Sequence, residues 1–298
     1  MRRPTLFLLY SCTYQGRTLV LGKHHSVIMS ASDASTSARP RLLCYGDSLT
    51  AGYTSMTKYT GTFVPWAPQL ADALGVIADH VGMCGWKAAQ MLEGVDCEEN
   101  EDGVSLLRHP GLRRLLEEGH YTHVLLMAGT NDLKSRTASE IAESLEKLHG
   151  VCHAIGVRTL ALAMPHSKTT TFRPTGRGER RRQVHERLRG FAACSSGWCE
   201  FCAPGEAEQP WVEGSADFEV DGLHMTGRGY ERFAALLLRS PVFQGFLRRR
   251  HPVDYLAPEL PTVSPADLAW RRGMRRWMQR YRDAVNVVQV QRIGHQPC

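Results

Sequence analysis

No run of apolar residues in this 298-residue chain approaches the length that crosses a bilayer, so a spanning helix is not expected. The three clustered thiols Cys194, Cys199 and Cys202 have no second Cys-x-x-Cys pair to complete a structural zinc site, and no metal is expected. The Gly-x-Ser-x-Gly elbow that seats the nucleophile of α/β-hydrolases is missing, which points away from that family. No dedicated lid or long apolar cap stands out either.

Acidic residues are scarce at the two ends. Residues 1–40 carry a net charge of +4 and residues 246–298 carry +6, while 41–245 carry −4, so the overall +6 describes the ends and not the body. The nine cysteines are odd in number, and a chain of this size needs no disulfide staples. Reduced thiols in an intracellular, cytoplasmic compartment are the expectation.

Between the ends, short apolar runs alternate with helical periodicity. Leu42-Leu43-Cys44-Tyr45 ends in Gly46, Val76-Ile77-Ala78 begins a second strand, and Val124-Leu125-Leu126-Met127 is a third. Residues 157–163 form a fourth, ended by Pro165, and 198–203 a weak fifth. Helices are expected at 65–74, 86–94, 138–155 (capped by Ser139 and stopped by Gly156), 178–193 and 226–247. Strands separated by helices predict a parallel sheet between helical layers, with ligands outside the carboxyl ends of the strands. That rule nominates the segments beginning at Gly46, Gly82, Gly129 and Pro165.

The first of these reads Gly46-Asp47-Ser48-Leu49, followed by Thr50-Ala51-Gly52-Tyr53. A serine just past a strand, opening a helical turn, is well placed as a nucleophile whose own N–H points at an anion. By itself the tetrapeptide is no more than a turn former. Far downstream stands Asp221-Gly222-Leu223-His224. A base for serine must be an imidazole held in one tautomer by a carboxylate, and an Asp three residues before a His across an Asp-Gly turn can present both. A helix N-terminus with a solvated Asp, or a two-ligand metal corner, would read alike. Neither accounts for a nucleophile candidate at the matching end of a sheet.

Four blocks in order, Gly46-Asp47-Ser48-Leu49, Gly82-Met83-Cys84-Gly85, Gly129-Thr130-Asn131-Asp132 and Asp221-Gly222-Leu223-His224, resemble those of the SGNH (GDSL-type) hydrolases, over about residues 41–245. The resemblance implies a flavodoxin-like three-layer α/β/α fold with a five-stranded parallel sheet. It also implies a serine esterase in which Ser48 attacks, His224 is the base and Asp221 orients it. The N–H groups of Ser48 and Gly85 and the Asn131 amide then form the oxyanion hole, with no cofactor. Asn131 suits that role because its NH₂ is an uncharged donor, whereas Asp132 is expected to brace the loop. The family includes thioesterases, deacetylases, lipases and acyltransferases; a small or short-acyl ester is the expected substrate.

The second block departs from the family pattern. His80 stands where an Asn is frequent, Cys84 replaces a Ser, and Lys87 replaces a frequent Thr. Cys84 could make the enzyme thiol-sensitive, and Lys87 could place a positive charge at the pocket mouth. Tyr53 and the loop Met164 to Phe172 are further candidates to touch substrate. His166 in that loop is a rival base, set below His224 because no carboxylate partner is evident for it.

Residues 1–40 are read as an extension, with a secretory, transit or leader role left open, including a start at Met29. In the other extension, Trp270, Met274, Trp277, Tyr281 and Val285 recur at helical spacing among six arginines, a basic amphipathic helix. Docking on its own domain is the first expectation. Weak contact with an anionic membrane surface stays open, and no nucleic-acid partner is expected.

Overall fold

The computed structural model describes residues 40–54, 62–171 and 176–249. The expected leader, the basic helix around 270–285 and Phe172 lie outside them.

Five strands make the sheet: β1 (Arg41–Asp47), β2 (Ile77–Met83), β3 (His123–Met127), β4 (Arg158–Leu162) and β5 (Cys199–Cys202), of which β1, β3 and β4 are buried nearly throughout. They form one sheet in the order β2-β1-β3-β4-β5, every neighbouring pair parallel. This is the flavodoxin-like order, and the α/β/α expectation holds. In such sheets the chain reverses direction of growth between β1 and β3, which opens a crevice at their carboxyl ends.

Alternate side chains of the strands serve opposite layers. Leu43, Tyr45, Val124 and Leu126 face a layer built from α3 (Ala88–Glu93), α4 (Leu112–Gly119), α5 (Ala138–Ala154) and α7 (Arg177–Cys194). Cys44, Leu125, Met127 and Leu160 face α2 (Ala67–Leu74), α8 (Gly227–Arg239) and α9 (Pro241–Arg248). Two-sided burial explains why the central strands β1 and β3 carry apolar runs, Leu42 to Tyr45 and Val124 to Met127. No described helix is long and apolar enough to cross a membrane.

Three expectations need correction. The helix expected at 226–247 is two helices, broken at Ser240. Pro241 forces Ser240 into extended backbone (φ −64°, ψ 123°), and the Ser240 hydroxyl then caps the second helix at Phe243 N. The boundary at 245 falls inside that second helix. Phe243 and Phe246 are fully buried, each contributing roughly 1.5–3 kcal/mol, so the packed body runs through Arg248. The cap of α5 is Thr137 and not Ser139. Its hydroxyl accepts from Glu140 N while the Glu140 carboxylate accepts from Thr137 N, a reciprocal box in which Ser139 has no part.

Candidate active site

β1 delivers the serine. Asp47 is its last residue and caps α1 (Ser48–Ala51), with Oδ1 accepting from Leu49 N at 3.0 Å. That bond starts the helical turn at Ser48 and holds it at the crevice. Gly46 permits the arrangement: a Cβ there would lie 1.9 Å from the Met127 carbonyl oxygen of β3 and 2.4 Å from Thr50 Oγ1. Burial pushes the Asp47 carboxyl up to about 6, opposed by its bond to Leu49 N and by the charge of His224. A buried carboxylate therefore sits within electrostatic reach of the imidazole.

The segment 217–226 delivers the base. It is folded back on itself by a bridge between Phe218 and Met225, by Glu219 N donating to the His224 carbonyl at 2.8 Å, and by Gly222 N donating to the Glu219 carbonyl at 2.9 Å. Thr226 then caps α8. Asp221 Oδ1 accepts from the N–H of Leu223 at 2.8 Å and of His224 at 3.0 Å, while Oδ2 lies 2.6 Å from His224 Nδ1. Partial burial raises the Asp221 carboxyl, but the His224 ring and the two N–H groups prevail and hold it down at about 2. His224 Nε2 stands 3.0 Å from Ser48 Oγ. Serine, imidazole and carboxylate thus form one continuous relay across 176 residues of sequence.

Tyr53 completes the setting of the base. Its ring meets the imidazole edge-on, 4.7 Å between centroids, and its carbonyl is fixed by the Tyr230 hydroxyl of α8 at 2.8 Å. Phe63 also packs against Tyr53, 5.6 Å between ring centroids.

The loops after β2 and β3 stand next to each other. Trp86 N donates to the Met83 carbonyl at 3.1 Å, closing a four-residue turn with Cys84 and Gly85 at its centre. Gly85 has φ +80°, a conformation that favours glycine, and it is exposed. Asn131 Nδ2 donates to the Trp86 carbonyl at 2.9 Å. A primary amide carries two N–H donors, so this bond orients the group and leaves the second hydrogen for a ligand. Asp132 Oδ2 accepts from Ala88 N at 2.9 Å, the bracing expected of it.

The peripheral candidates fall differently. Lys87 Nζ donates to Ser135 Oγ at 3.1 Å, bridging the same two loops. His166 does have a carboxylate partner, Glu206, at 3.5 Å, contrary to expectation, but it is His224 that meets Ser48. Glu206 is gripped at both oxygens by Arg181 as well, so His166 belongs to a separate ion-paired cluster. Lys168, which opens the single-turn helix α6 (Lys168–Thr171), donates its N–H to the Gly222 carbonyl at 2.7 Å, which ties the segment after β4 to the Asp221 turn. Cys199 and Cys202 are buried in β5, and Cys194 is exposed on α7.

Cys84 is buried beside Gly85. Burial, followed by the charge of Asp102, pushes its thiol well above the ordinary range. A thiol that stays protonated reacts slowly with alkylating agents. Iodoacetamide at neutral pH is therefore expected to spare activity equally in wild type and Cys84→Ser, measured as residual ester turnover. Inactivation of wild type with protection in Cys84→Ser would contradict this.

A family model, GDSL-like lipase/acylhydrolase, matches residues 44–232. Among solved structures, the psychrotrophic esterase EstA from Pseudoalteromonas sp., inhibited by monoethylphosphonate, is similar over 70% of this chain and 99% of that one, at 15% identity and a TM-score of 0.51. A lipolytic G-D-S-L family protein from Veillonella parvula is similar over 67% of this chain and 97% of that one, at 21% identity and a TM-score of 0.48. A family 3 carbohydrate esterase from Clostridium thermocellum is similar over 71% and 98% respectively, at 16% identity and a TM-score of 0.49. No curated protein matches the chain.

Proposed function

Because the chain belongs to the GDSL-like lipase/acylhydrolase family and is an ester-bond hydrolase, we propose that it works through an acyl-serine on Ser48 and prefers small, short-acyl esters. The observation that carries the reading is the relay Ser48 Oγ–His224 Nε2 at 3.0 Å and His224 Nδ1–Asp221 Oδ2 at 2.6 Å.

Ser48 Oγ attacks the ester carbonyl carbon as its proton passes to His224 Nε2. The carbonyl oxygen becomes an oxyanion and is met by the N–H of Ser48, the N–H of Gly85 and the free hydrogen of the Asn131 amide. Collapse breaks the bond to the alcohol oxygen, which leaves with the proton from Nε2. A water then gives its proton to the same nitrogen, attacks the acyl carbon and releases the acid, returning Ser48. Asp221 holds the imidazole with Nδ1 as donor and steadies the transient imidazolium. Its carboxyl, near 2, stays ionised across the working range. Donors fixed in advance matter most, because they need no rearrangement as charge develops.

The preference for short acyl groups rests on Tyr53, whose ring stands 4.7 Å from the imidazole and limits room beside the base. A p-nitrophenyl ester series tests it. The expected order of kcat/KM is acetate and butyrate above octanoate and decanoate, by about tenfold or more. That is what a clash or lost fit worth 1.4 kcal/mol produces. A maximum at decanoate would overturn the preference.

A further inference from the structure

Gly85 can serve an oxyanion only if its N–H keeps one direction, and the turn it occupies does not secure that by itself. The peptide between Cys84 and Gly85 is the central peptide of the turn closed by Trp86 N and the Met83 carbonyl. Turns of this kind come in two forms that differ by a flip of that peptide, and the positive φ of Gly85 marks the form in which glycine sits third. The flip reverses the direction of the Gly85 N–H. Something outside the turn has to select one form.

The contacts that reach the turn from outside come from a short antiparallel ribbon, Asn100–Glu101 paired with Arg108–His109, and from the loop after its first strand. Asp102 follows its first strand and is completely buried. Its Oδ2 accepts from the N–H of Cys84. Its Oδ1 accepts from Val104 N at 3.0 Å, Ser105 N at 2.5 Å and Ser105 Oγ at 2.8 Å. The carboxylate thus has one oxygen on the turn and the other on its own loop. The Cys84 N–H belongs to the Met83–Cys84 peptide, the one before the central peptide, and Gly103 approaches the central peptide itself: a Cβ built on Gly103 would lie 3.1 Å from the Cys84 carbonyl oxygen. The ribbon is fastened in turn by Trp86 Nε1 donating to the Glu101 carbonyl at 3.2 Å and Asn100 Nδ2 donating to the Gly94 carbonyl at 2.9 Å.

We infer that Asp102 is a positioning residue for the oxyanion hole: it clamps the peptide before Cys84 through the Cys84 N–H, Gly103 packs on the carbonyl of the peptide after it, and the two contacts together fix the rotation at Cys84 that turns the Gly85 N–H to the substrate. The inference rests on the reading of Gly85 as an oxyanion donor. Asp102 touches no substrate and acts only through the backbone. A full complement of backbone and hydroxyl donors around a buried carboxylate also explains how the charge is tolerated so near a site that must accept an anion.

Asp102→Asn replaces one acceptor oxygen with an NH₂ that faces an N–H donor on either side, so one grip is lost. Gly103→Ala leaves the carboxylate in place and displaces the Cys84 carbonyl by a few tenths of an ångström. Kinetics on a p-nitrophenyl ester, with thermal melting of each variant, test the idea. Asp102→Asn is expected to lower kcat by about 10–10², short of the ~10²–10³ for deleting a donor outright, with KM within about twofold. Gly103→Ala is expected to lower kcat by roughly 2–10-fold, again at constant KM, since small misplacements of reacting groups are costly. The rate of Ser48 phosphonylation by a fluorophosphonate should fall in parallel, because that reaction also loads a negative oxygen into the hole.

Asn131→Ala is run alongside. A large loss there, with kcat unchanged in a folded Asp102→Asn and in Gly103→Ala, overturns this inference alone. No loss in Asn131→Ala overturns the reading of the hole itself. If Asp102→Asn does not fold, Gly103→Ala decides: unchanged kcat refutes the lock, and a fall in kcat at constant KM supports it.

Discussion

Ser48→Ala is expected to lower kcat by a factor on the order of 10⁵–10⁶ on a short p-nitrophenyl ester, with KM changed little. The side chain is nearly buried, 6% exposed, at the end of β1, and its hydroxyl has the His224 ring as partner. Removing one oxygen there deletes the nucleophile and leaves α1 standing, because the turn is capped by the Asp47 carboxylate and not by the serine. Melting within a few degrees of wild type is therefore expected, which separates lost chemistry from lost fold. Retention of more than about a tenth of the rate in a folded Ser48→Ala would remove Ser48 from the mechanism.

His224→Ala is expected to fall almost as far, by roughly 10⁴–10⁶ in kcat. The imidazole is the group within hydrogen-bonding distance of Ser48 Oγ, and its partner Asp221 is already ionised near pH 2. The loop survives the change, since its folding depends on backbone bonds such as Glu219 N to the His224 carbonyl. The double variant Ser48→Ala/His224→Ala should be no slower than either single one, because nucleophile and base act as one unit and their losses do not add. A double variant slower by the product of the two would mean they act separately. Near wild-type turnover in His224→Ala would pass the base role to another group, and His166, with Glu206 beside it, would be the first to examine.

Much of this architecture is legible in the sequence for a physical reason. A strand buried on both faces must be apolar at every position, so Leu42 to Tyr45 and Val124 to Met127 announce themselves, and the glycines after them mark where the crevice begins. The Asp221–His224 pair is legible because its partners are local: a three-residue spacing across an Asp-Gly turn is enough to join carboxylate and imidazole. The Thr137–Glu140 box was also there to be read, and Ser139 is the weaker reading only because the reciprocal bond needs a glutamate three residues on. The break at Ser240 was signalled by Pro241 in the same way.

Asp102 is different. It ends a polar run, Glu98-Glu99-Asn100-Glu101-Asp102, in which Glu98, Glu99 and Glu101 are exposed ion-pair partners of arginines. Nothing local says which carboxylate of such a run turns inward. Its target, the Cys84 N–H, is 18 residues away and is brought to it only by the ribbon and by α3. The carboxylate partner of His166 escaped for the same reason, since Glu206 lies 40 residues downstream and meets it only through folding. Contacts that depend on tertiary placement leave no periodicity and no spacing to read.

The central claim is that Ser48 carries the acyl group. Mass spectrometry of peptides from protein treated with a fluorophosphonate tests it directly. A single phosphonyl adduct is expected on the peptide containing Gly46-Asp47-Ser48-Leu49 in wild type and none on Ser48→Ala. An adduct on another residue, or labelling that persists in Ser48→Ala, would contradict it.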